Sequence, residues 1–119
     1  MLNNATGFQR IIIACGYTDL RRGIDGLASI ITNQFQMDPF EPGTLFLFCG
    51  RRTDRIKGLV WEEDGFLLVY KRLEAGRFQW PRSEAEVRDI TQEQFNWLMS
   101  GMKIEQKKSI EKISPSLPG

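Results

Sequence analysis

The amino-acid sequence predicts a single α+β domain, in which a small, mainly antiparallel β-sheet packs with two principal helices. Three observations support this prediction. Short apolar runs rich in β-branched and aromatic residues recur along the chain, two segments have the apolar spacing of amphipathic helices, and an Asp64-Gly65 pair separates two strand-like runs. A length of 119 residues fits one domain with one core.

The N-terminal part is expected to form a strand followed by a helix. Residues 8–16 include the β-branched run from Ile11 to Ile13 and end at a glycine, which predicts a strand covered on both faces. Apolar residues then recur at helical spacing from Leu20 to Phe35, and Thr18 or Asp19 is the predicted helix cap.

The middle of the chain is expected to contain a strand and a β-hairpin. The helix should stop before Asp38-Pro39, because proline disfavours a helical conformation in the preceding residue. Residues 44–49 form the next predicted strand. Residues 56–63 and 66–73 flank Asp64-Gly65, a dipeptide that favours a two-residue hairpin turn.

This turn fixes the expected register of the hairpin. With Asp64 and Gly65 as the loop, Lys57 faces Arg72 in a like-charge pair that is unfavourable unless solvent or an anion lies between them. Both basic ends of the two strands then lie together at the open end, whereas Glu62, Glu63 and Asp64 gather at the turn. The predicted hairpin is therefore electrically polarised along its length.

The C-terminal part is expected to add one edge segment and the second principal helix. Residues 77–81 are aromatic and end in a proline, so they form an edge segment at most. Ser83 with Glu86 could cap one helical turn. A capping box of Thr91 and Gln94 predicts a helix that ends at a glycine, over residues 92–101.

The domain is expected to span residues 1–102, with residues 103–119 as a charged tail that ends on prolines. Residues 1–10 lack a basic region followed by an apolar run, and no apolar stretch is long enough for a membrane helix. We therefore expect a cytoplasmic protein without a membrane partner.

Residue usage excludes much catalytic chemistry. The chain has no histidine, which removes the commonest general base and metal ligand and every Ser-His or Cys-His nucleophile pair. Cys15 and Cys49 have neither a C-x-x-C spacing nor the four-ligand count of a structural zinc site. Both are expected to be free, buried thiols at strand ends, and we predict no metal site and no cofactor.

Local charge is more informative than the net charge of +1. Residues 51–57 and residues 71–82 each hold four basic residues and one acidic residue. Arginine suits bidentate phosphate contacts, and aromatic residues can stack on bases. The candidate nucleic-acid contacts are Arg51, Arg52, Arg55, Lys57, Lys71, Arg72, Arg77 and Arg82, and the candidate stacking or partner-docking residues are Trp61, Tyr70, Phe78 and Trp80.

Two other interpretations of these residues stay open. Basic residues at a strand end are often only solvated, and aromatic residues of a small domain are usually core. A metal-dependent nuclease would need acidic residues that converge, for which Asp19, Asp25 and Asp54 are candidates. Nothing in the sequence fixes such convergence, so we expect no catalytic residue and no enzymatic activity.

Several motifs in order resemble a known family. They are the run from Tyr17 to Leu27, Asp38-Pro39-Phe40, the run from Leu45 to Lys57, Tyr70 to Glu74, Gly76-Arg77-Phe78 and Trp80-Pro81. Together they resemble the small TnpB-type accessory protein of bacterial insertion sequence family sixty-six. The likeness runs from about Ile11 to Gly101.

The resemblance implies a role in DNA transposition beside a separate DDE transposase, with no chemical step of its own. DNA and the DDE transposase of the same element are therefore the expected partners. The alternative is a protein-interaction module that docks the transposase through an aromatic patch. The family motifs also include positions outside the two basic runs, namely Thr18, Asp19, Arg21, Arg22 and Asp25.

Overall fold

The computed structural model describes residues 7–106, which form a five-stranded sheet and two helices. The strands are β1 (Arg10–Ala14), β2 (Thr44–Cys49), β3 (Arg55–Trp61), β4 (Phe66–Arg72) and β5 (Val87–Ile90). Helix α1 (Ile24–Ser29) continues directly into a wider π-helical turn (Ile30–Gln34), and helix α2 (Gln92–Met99) follows β5.

The strands lie in the order β4-β3-β2-β1-β5. Strands β1 and β2 are parallel, and every other neighbouring pair is antiparallel. The predicted α+β class with a mainly antiparallel sheet is thus confirmed. The carboxyl ends of the parallel neighbours β1 and β2 meet at the same edge of the sheet, so the loops that follow these two strands lie close together.

The two helices cover opposite faces of the sheet. Side chains of β1 alternate, so that Ile12 packs with Leu27 and Ile31 of the α1 region and Ile11 packs with α2. The α2 side of the core is completed by buried side chains from the connecting segments, Phe78, Trp80 and Ile104. Strand β2 is buried along its whole length, as expected for a strand covered on both faces.

Helix α1 begins later than the sequence predicts. Its N-cap is Gly23 rather than Thr18 or Asp19. The Asp19 carboxylate instead accepts a hydrogen bond from the backbone N–H of Arg21 at 3.0 Å, and its carbonyl accepts one from the N–H of Arg22 at 3.1 Å. This local turn competes with the helix. Leu20 still packs on the core, which explains why the apolar spacing included it.

The hairpin has a longer loop than predicted. Glu62 N–H donates to the Gly65 carbonyl at 2.8 Å, and Glu63 has a positive φ of 71°. The register therefore moves by two residues, so that Lys57 faces Tyr70 and the like-charge pair is Arg55 with Arg72. A shift of two residues leaves each side chain on its predicted face.

The segment after the hairpin differs from the prediction, whereas α2 agrees with it. Residues 83–86 form no helical turn, because the Glu86 carbonyl accepts the N–H of Cys15 at 2.9 Å and leads into β5 beside β1. Residues 77–81 form no strand. The predicted capping box is confirmed, with Thr91 Oγ1 accepting the Gln94 N–H at 3.0 Å and Gln94 Oε1 accepting the Thr91 N–H at 2.8 Å.

The predicted tail falls mostly outside the described residues, which end at Gln106. Within the described part, Ile104 is buried against the core and its carbonyl accepts a bond from Gln94 Nε2 at 3.3 Å. The boundary of the tail after residue 102 stays a prediction. None of the helices formed by residues 7–106 is long and apolar enough to cross a membrane.

Candidate nucleic-acid interface

A basic depression lies where the loops after β1 and β2 meet the open end of the hairpin. We call it the cationic basin; its volume is about 700 Å³ and it is open to solvent. Five cationic side chains and one carboxylate line it. The lining residues are Tyr17, Thr18, Asp19, Leu20, Arg21, Gly50, Arg51, Arg52, Arg55, Lys57 and Tyr70.

Backbone contacts hold the two loops together. The N–H of Thr18 donates to the carbonyl of Cys49 at 3.0 Å, which continues the pairing of β1 and β2 beyond their ends. Arg82 joins the same loops, because its guanidinium donates to the Gly16 carbonyl at 3.0 Å and to the Gly50 carbonyl. Arg82, a predicted nucleic-acid contact, therefore also positions the basin.

Asp19 neutralises Arg21 on the wall formed by the first loop. The carboxylate accepts two close bonds from the Arg21 guanidinium, at 2.9 and 2.8 Å. The side-chain hydrogen bond with Arg21 lowers the pKa of Asp19 to about 2. The pair carries no net charge near neutral pH, so it adds little to the positive potential of the basin.

Asp54 partly neutralises the second loop. Its carboxylate accepts bonds from Arg55 at 2.9 and 3.2 Å and pairs with Arg52 at 3.5 Å. The side-chain hydrogen bond with Arg55 holds the pKa of Asp54 below its usual value and raises the pKa of Arg55. One carboxylate serves two arginines, so a positive charge remains.

Lys57 connects the hairpin to the first loop. Its ammonium donates to the Arg22 carbonyl at 2.9 Å and lies 5.7 Å from the centre of the Tyr70 ring. Lys57 forms no ion pair with any of the residues that the structure describes. Its charge therefore adds to the positive potential.

Tyr17 brings two arginines to the rim of the basin. The guanidinium carbon of Arg82 lies 4.4 Å from the centre of its ring, and that of Arg51 lies 5.1 Å away. Both are cation–π distances. Arg51 is exposed, and within residues 7–106 it forms no ion pair with a carboxylate.

The second basic run reaches the basin only in part. Arg72 pairs with Glu74 at 3.1 Å, and exposed Arg77 lines a neighbouring hollow of about 310 Å³ that shares Arg51 and Arg52 with the basin. Lys71 is opposite Ile56 in the register, so it points to the other face of the hairpin. The structure therefore brings the first run together more closely than the second.

The predicted aromatic patch does not exist as one surface. Phe78 and Trp80 are 2% and 6% exposed, and the Trp80 indole N–H donates to the Ala14 carbonyl at 2.8 Å. Burial makes these two rings part of the core and removes them from a docking surface. Tyr70 lies in the basin, and Trp61 lies at the other end of the hairpin.

Trp61 belongs to a separate aromatic group beside the hairpin turn. Its ring contacts those of Phe40 and Phe66, with centroids 5.0 Å apart in both cases, and Phe40 and Phe66 are 5.2 Å apart. We call these three residues the turn-end aromatic cluster. Phe40 is half exposed, and Glu62, Glu63 and Asp64 next to the cluster are exposed.

The two basic runs found in the sequence do not include the first loop of the basin. Tyr17, Asp19 and Arg21 line the basin, although none of them belongs to the two basic runs. The sequence offered Asp19 as a helix cap or a nuclease carboxylate, and only the family resemblance singled out Arg21. Thr18 is nearly buried and contributes its backbone N–H, and Asp25 is exposed in the first turn of α1. Predicting that this loop joins the basin would have required knowing that β1 and β2 are parallel neighbours.

The candidate nuclease carboxylates do not form a metal-binding group in the described part of the chain. Asp19 and Asp54 each pair with arginine. Across residues 7–106, no three or more His, Cys, Asp or Glu side chains are arranged to hold a metal ion. The basin is suited to binding anions.

Comparisons with known proteins agree with the motif pattern. A family model described as "IS66 Orf2 like protein" matches residues 9–109. Two proteins of Sinorhizobium fredii (strain NBRC 101917 / NGR234) are similar. Uncharacterized protein y4jC is 32% identical over 93 residues, covering 78% of this chain and 79% of its own. Uncharacterized protein y4hO is 37% identical over 94 residues, covering 78% and 80%. No solved structure matches the chain.

Proposed function

Because the chain belongs to the IS66 Orf2-like family of transposition-associated accessory proteins, we propose that it is a non-catalytic factor that binds element DNA in the cytoplasm. The observation that carries this proposal is the cationic basin. Five basic side chains line it in a chain whose net charge is only +1. The positive charge is therefore local and directed to one end of the molecule.

The chemistry of the basin suits a phosphate backbone. Four of the five cations that line it are arginines, and the guanidinium group binds phosphate oxygens through two parallel hydrogen bonds. Arg51 and Lys57 form no ion pair with the described residues, and Arg52 shares its carboxylate with Arg55. These groups can exchange water for phosphate without breaking a strong internal pair.

The fold gives this surface a fixed shape. Thr18 and Arg82 tie the two loops to each other through backbone carbonyls. Lys57 ties the hairpin to Arg22 in the first loop. A preorganised set of cations loses less side-chain entropy on binding than a set of free surface lysines.

Salt dependence tests the DNA contact. We expect the affinity for duplex DNA carrying an element end to fall linearly with salt on a double-logarithmic plot, with a slope no steeper than roughly −4.5 for five phosphate contacts. Arg51→Gln should make the slope shallower by about 0.9. Lys103→Gln removes the same charge outside the basin and should leave the slope unchanged. A flat salt dependence, or equal effects of both variants, would refute the contact.

A second candidate function uses the opposite end of the hairpin. The turn-end aromatic cluster is partly exposed and lies beside three exposed carboxylates. Exposed aromatic groups are typical anchors of protein interfaces. We propose that this end docks a segment of the DDE transposase that carries an apolar side chain flanked by basic residues.

Direct binding to the purified transposase tests this docking. Phe40→Ala should weaken the complex and Arg51→Gln should leave it intact, since the two residues lie at opposite ends of the hairpin. The apolar part of this contact should respond weakly to salt, whereas the attraction of basic residues to the exposed carboxylates should weaken as salt rises. Loss of the complex in Arg51→Gln alone would place the transposase at the basin instead.

A further inference from the structure

Two exposed tyrosines line the cationic basin. The side chains of Tyr17 and Tyr70 are 64% and 53% exposed. Within the described residues they are two of four large hydrophobic residues with such exposure, and neither packs in the core. Burial in the core therefore does not explain why aromatic rings occupy these two positions.

Each ring lies beside cations. Arg51 and Arg82 approach the Tyr17 ring, and Lys57 approaches the Tyr70 ring. A phosphate-binding group and an exposed aromatic ring thus occur together at two places in the basin. A nucleotide presents the complementary pair of groups, which are a phosphate and a base.

The two rings project from well-separated parts of the backbone. Tyr17 follows β1 and Tyr70 lies on β4, and these strands are three positions apart in the sheet, or about 14 Å between backbones. The basin volume of about 700 Å³ is large enough for more than one base. A short run of nucleotides fits this spacing.

We propose that the basin binds a short run of unpaired nucleotides, with phosphates on its cations and bases stacked against Tyr17 and Tyr70. In a duplex, each base is already covered by its neighbours, so stacking on a protein ring requires a single-stranded or extruded base. This inference rests on the proposed DNA contact and adds the form of DNA that the basin prefers.

Affinities for two labelled probes test the proposal. The probes are a single-stranded oligothymidine and a mixed-sequence duplex of equal length. We expect the wild type to bind the single strand more tightly. Tyr17→Ala and Tyr70→Ala should each weaken single-strand binding about five- to hundredfold, the range for one lost base–aromatic stack, and weaken duplex binding much less.

Two control variants separate stacking from other effects. Tyr17→Phe keeps the ring and should bind the single strand like the wild type. Phe40→Ala removes an exposed ring outside the basin and should have no effect. Equal losses for duplex and single strand in Tyr17→Ala would overturn stacking while keeping the phosphate contact. Binding of the duplex but not of the single strand would also overturn stacking while keeping the phosphate contact. Binding of neither probe would refute the proposed function itself.

Discussion

Asp54 controls how much positive charge the cationic basin presents. It is the carboxylate shared by Arg52 and Arg55, and only 18% of its side chain is exposed. Because its pKa is lowered in the folded state, ionised Asp54 stabilises the fold above the unfolded pKa. That contribution is lost as the pH falls through the lower, folded value.

Removing this charge should strengthen DNA binding. In Asp54→Asn, Arg52 and Arg55 lose their counter-charge and become available to phosphates. We expect tighter binding and a salt slope steeper by about 0.9 for each phosphate gained, measured by fluorescence anisotropy. Asp89→Asn is the matched control, since it removes the same charge from an ion pair with Arg10, the first residue of β1, at the end of that strand away from the basin. An unchanged slope in Asp54→Asn would contradict this role.

The cysteines are expected to be chemically inert in the folded protein. Both are free and buried, as the sequence predicted. Burial raises the pKa of the Cys49 thiol to about 11, and only the thiolate is a good nucleophile. Iodoacetamide at neutral pH should therefore leave the native chain unmodified and alkylate both thiols in denaturant, as mass spectrometry can show. Rapid alkylation of the native protein would contradict the burial.

At the scale of the elements, β3 depends on a glycine in its middle. Gly58 faces Leu47 of β2 and Val69 of β4. A Cβ atom at this position would lie 2.9 Å from Val69 Cγ2, 3.2 Å from Leu45 Cδ1 and 3.3 Å from Leu47 Cδ2. Gly58 has no unusual backbone angle, so space rather than conformation requires glycine.

The Gly58→Ala variant should therefore be less stable. We expect a loss of about 1–2 kcal/mol in the free energy of unfolding, because the crowding outweighs the reduced entropy of the unfolded chain. Urea denaturation measures this loss. Gly65→Ala is the matched control, since a Cβ there meets nothing within 4 Å, and it should be neutral. Equal stability of the two variants would refute the crowding.

Local sequence patterns predicted which helices and strands form better than they predicted where these elements end and which strands pair. The capping box of Thr91 and Gln94 depends only on neighbours in sequence, so α2 was predicted well. The hairpin faces were predictable from alternation, but its register depended on a longer loop at Glu63. Strand β5 was missed because its pairing with β1 joins distant residues, such as Ile11 with Ile90.

At the scale of the whole molecule, the cationic basin arises from topology. The position of residues 51–57 at the open end of the hairpin could be predicted, because it depends on a single local turn. The loop of Tyr17 and Arg21 joins them because β1 and β2 are parallel neighbours, and no local pattern reveals that pairing. For the same reason, the burial of Phe78 and Trp80 on the α2 side could not be distinguished from surface exposure.

The two ends of the hairpin differ in chemistry. One end carries the cationic basin, and the other carries the turn-end aromatic cluster with exposed carboxylates. Strands β3 and β4 each have seven residues, which separates the ends by about 20 Å. The proposed contacts with DNA and with the transposase therefore use separate surfaces.

Mapping of backbone amide shifts by NMR during titration with duplex DNA carrying an element end tests the central claim most directly. We expect the largest shifts in residues 16–22 and 50–57, the two loops that form the basin, and small shifts in residues 62–66 at the turn. Shifts concentrated at the turn or in α2, with the two loops unaffected, would contradict the assignment of the cationic basin as the DNA contact.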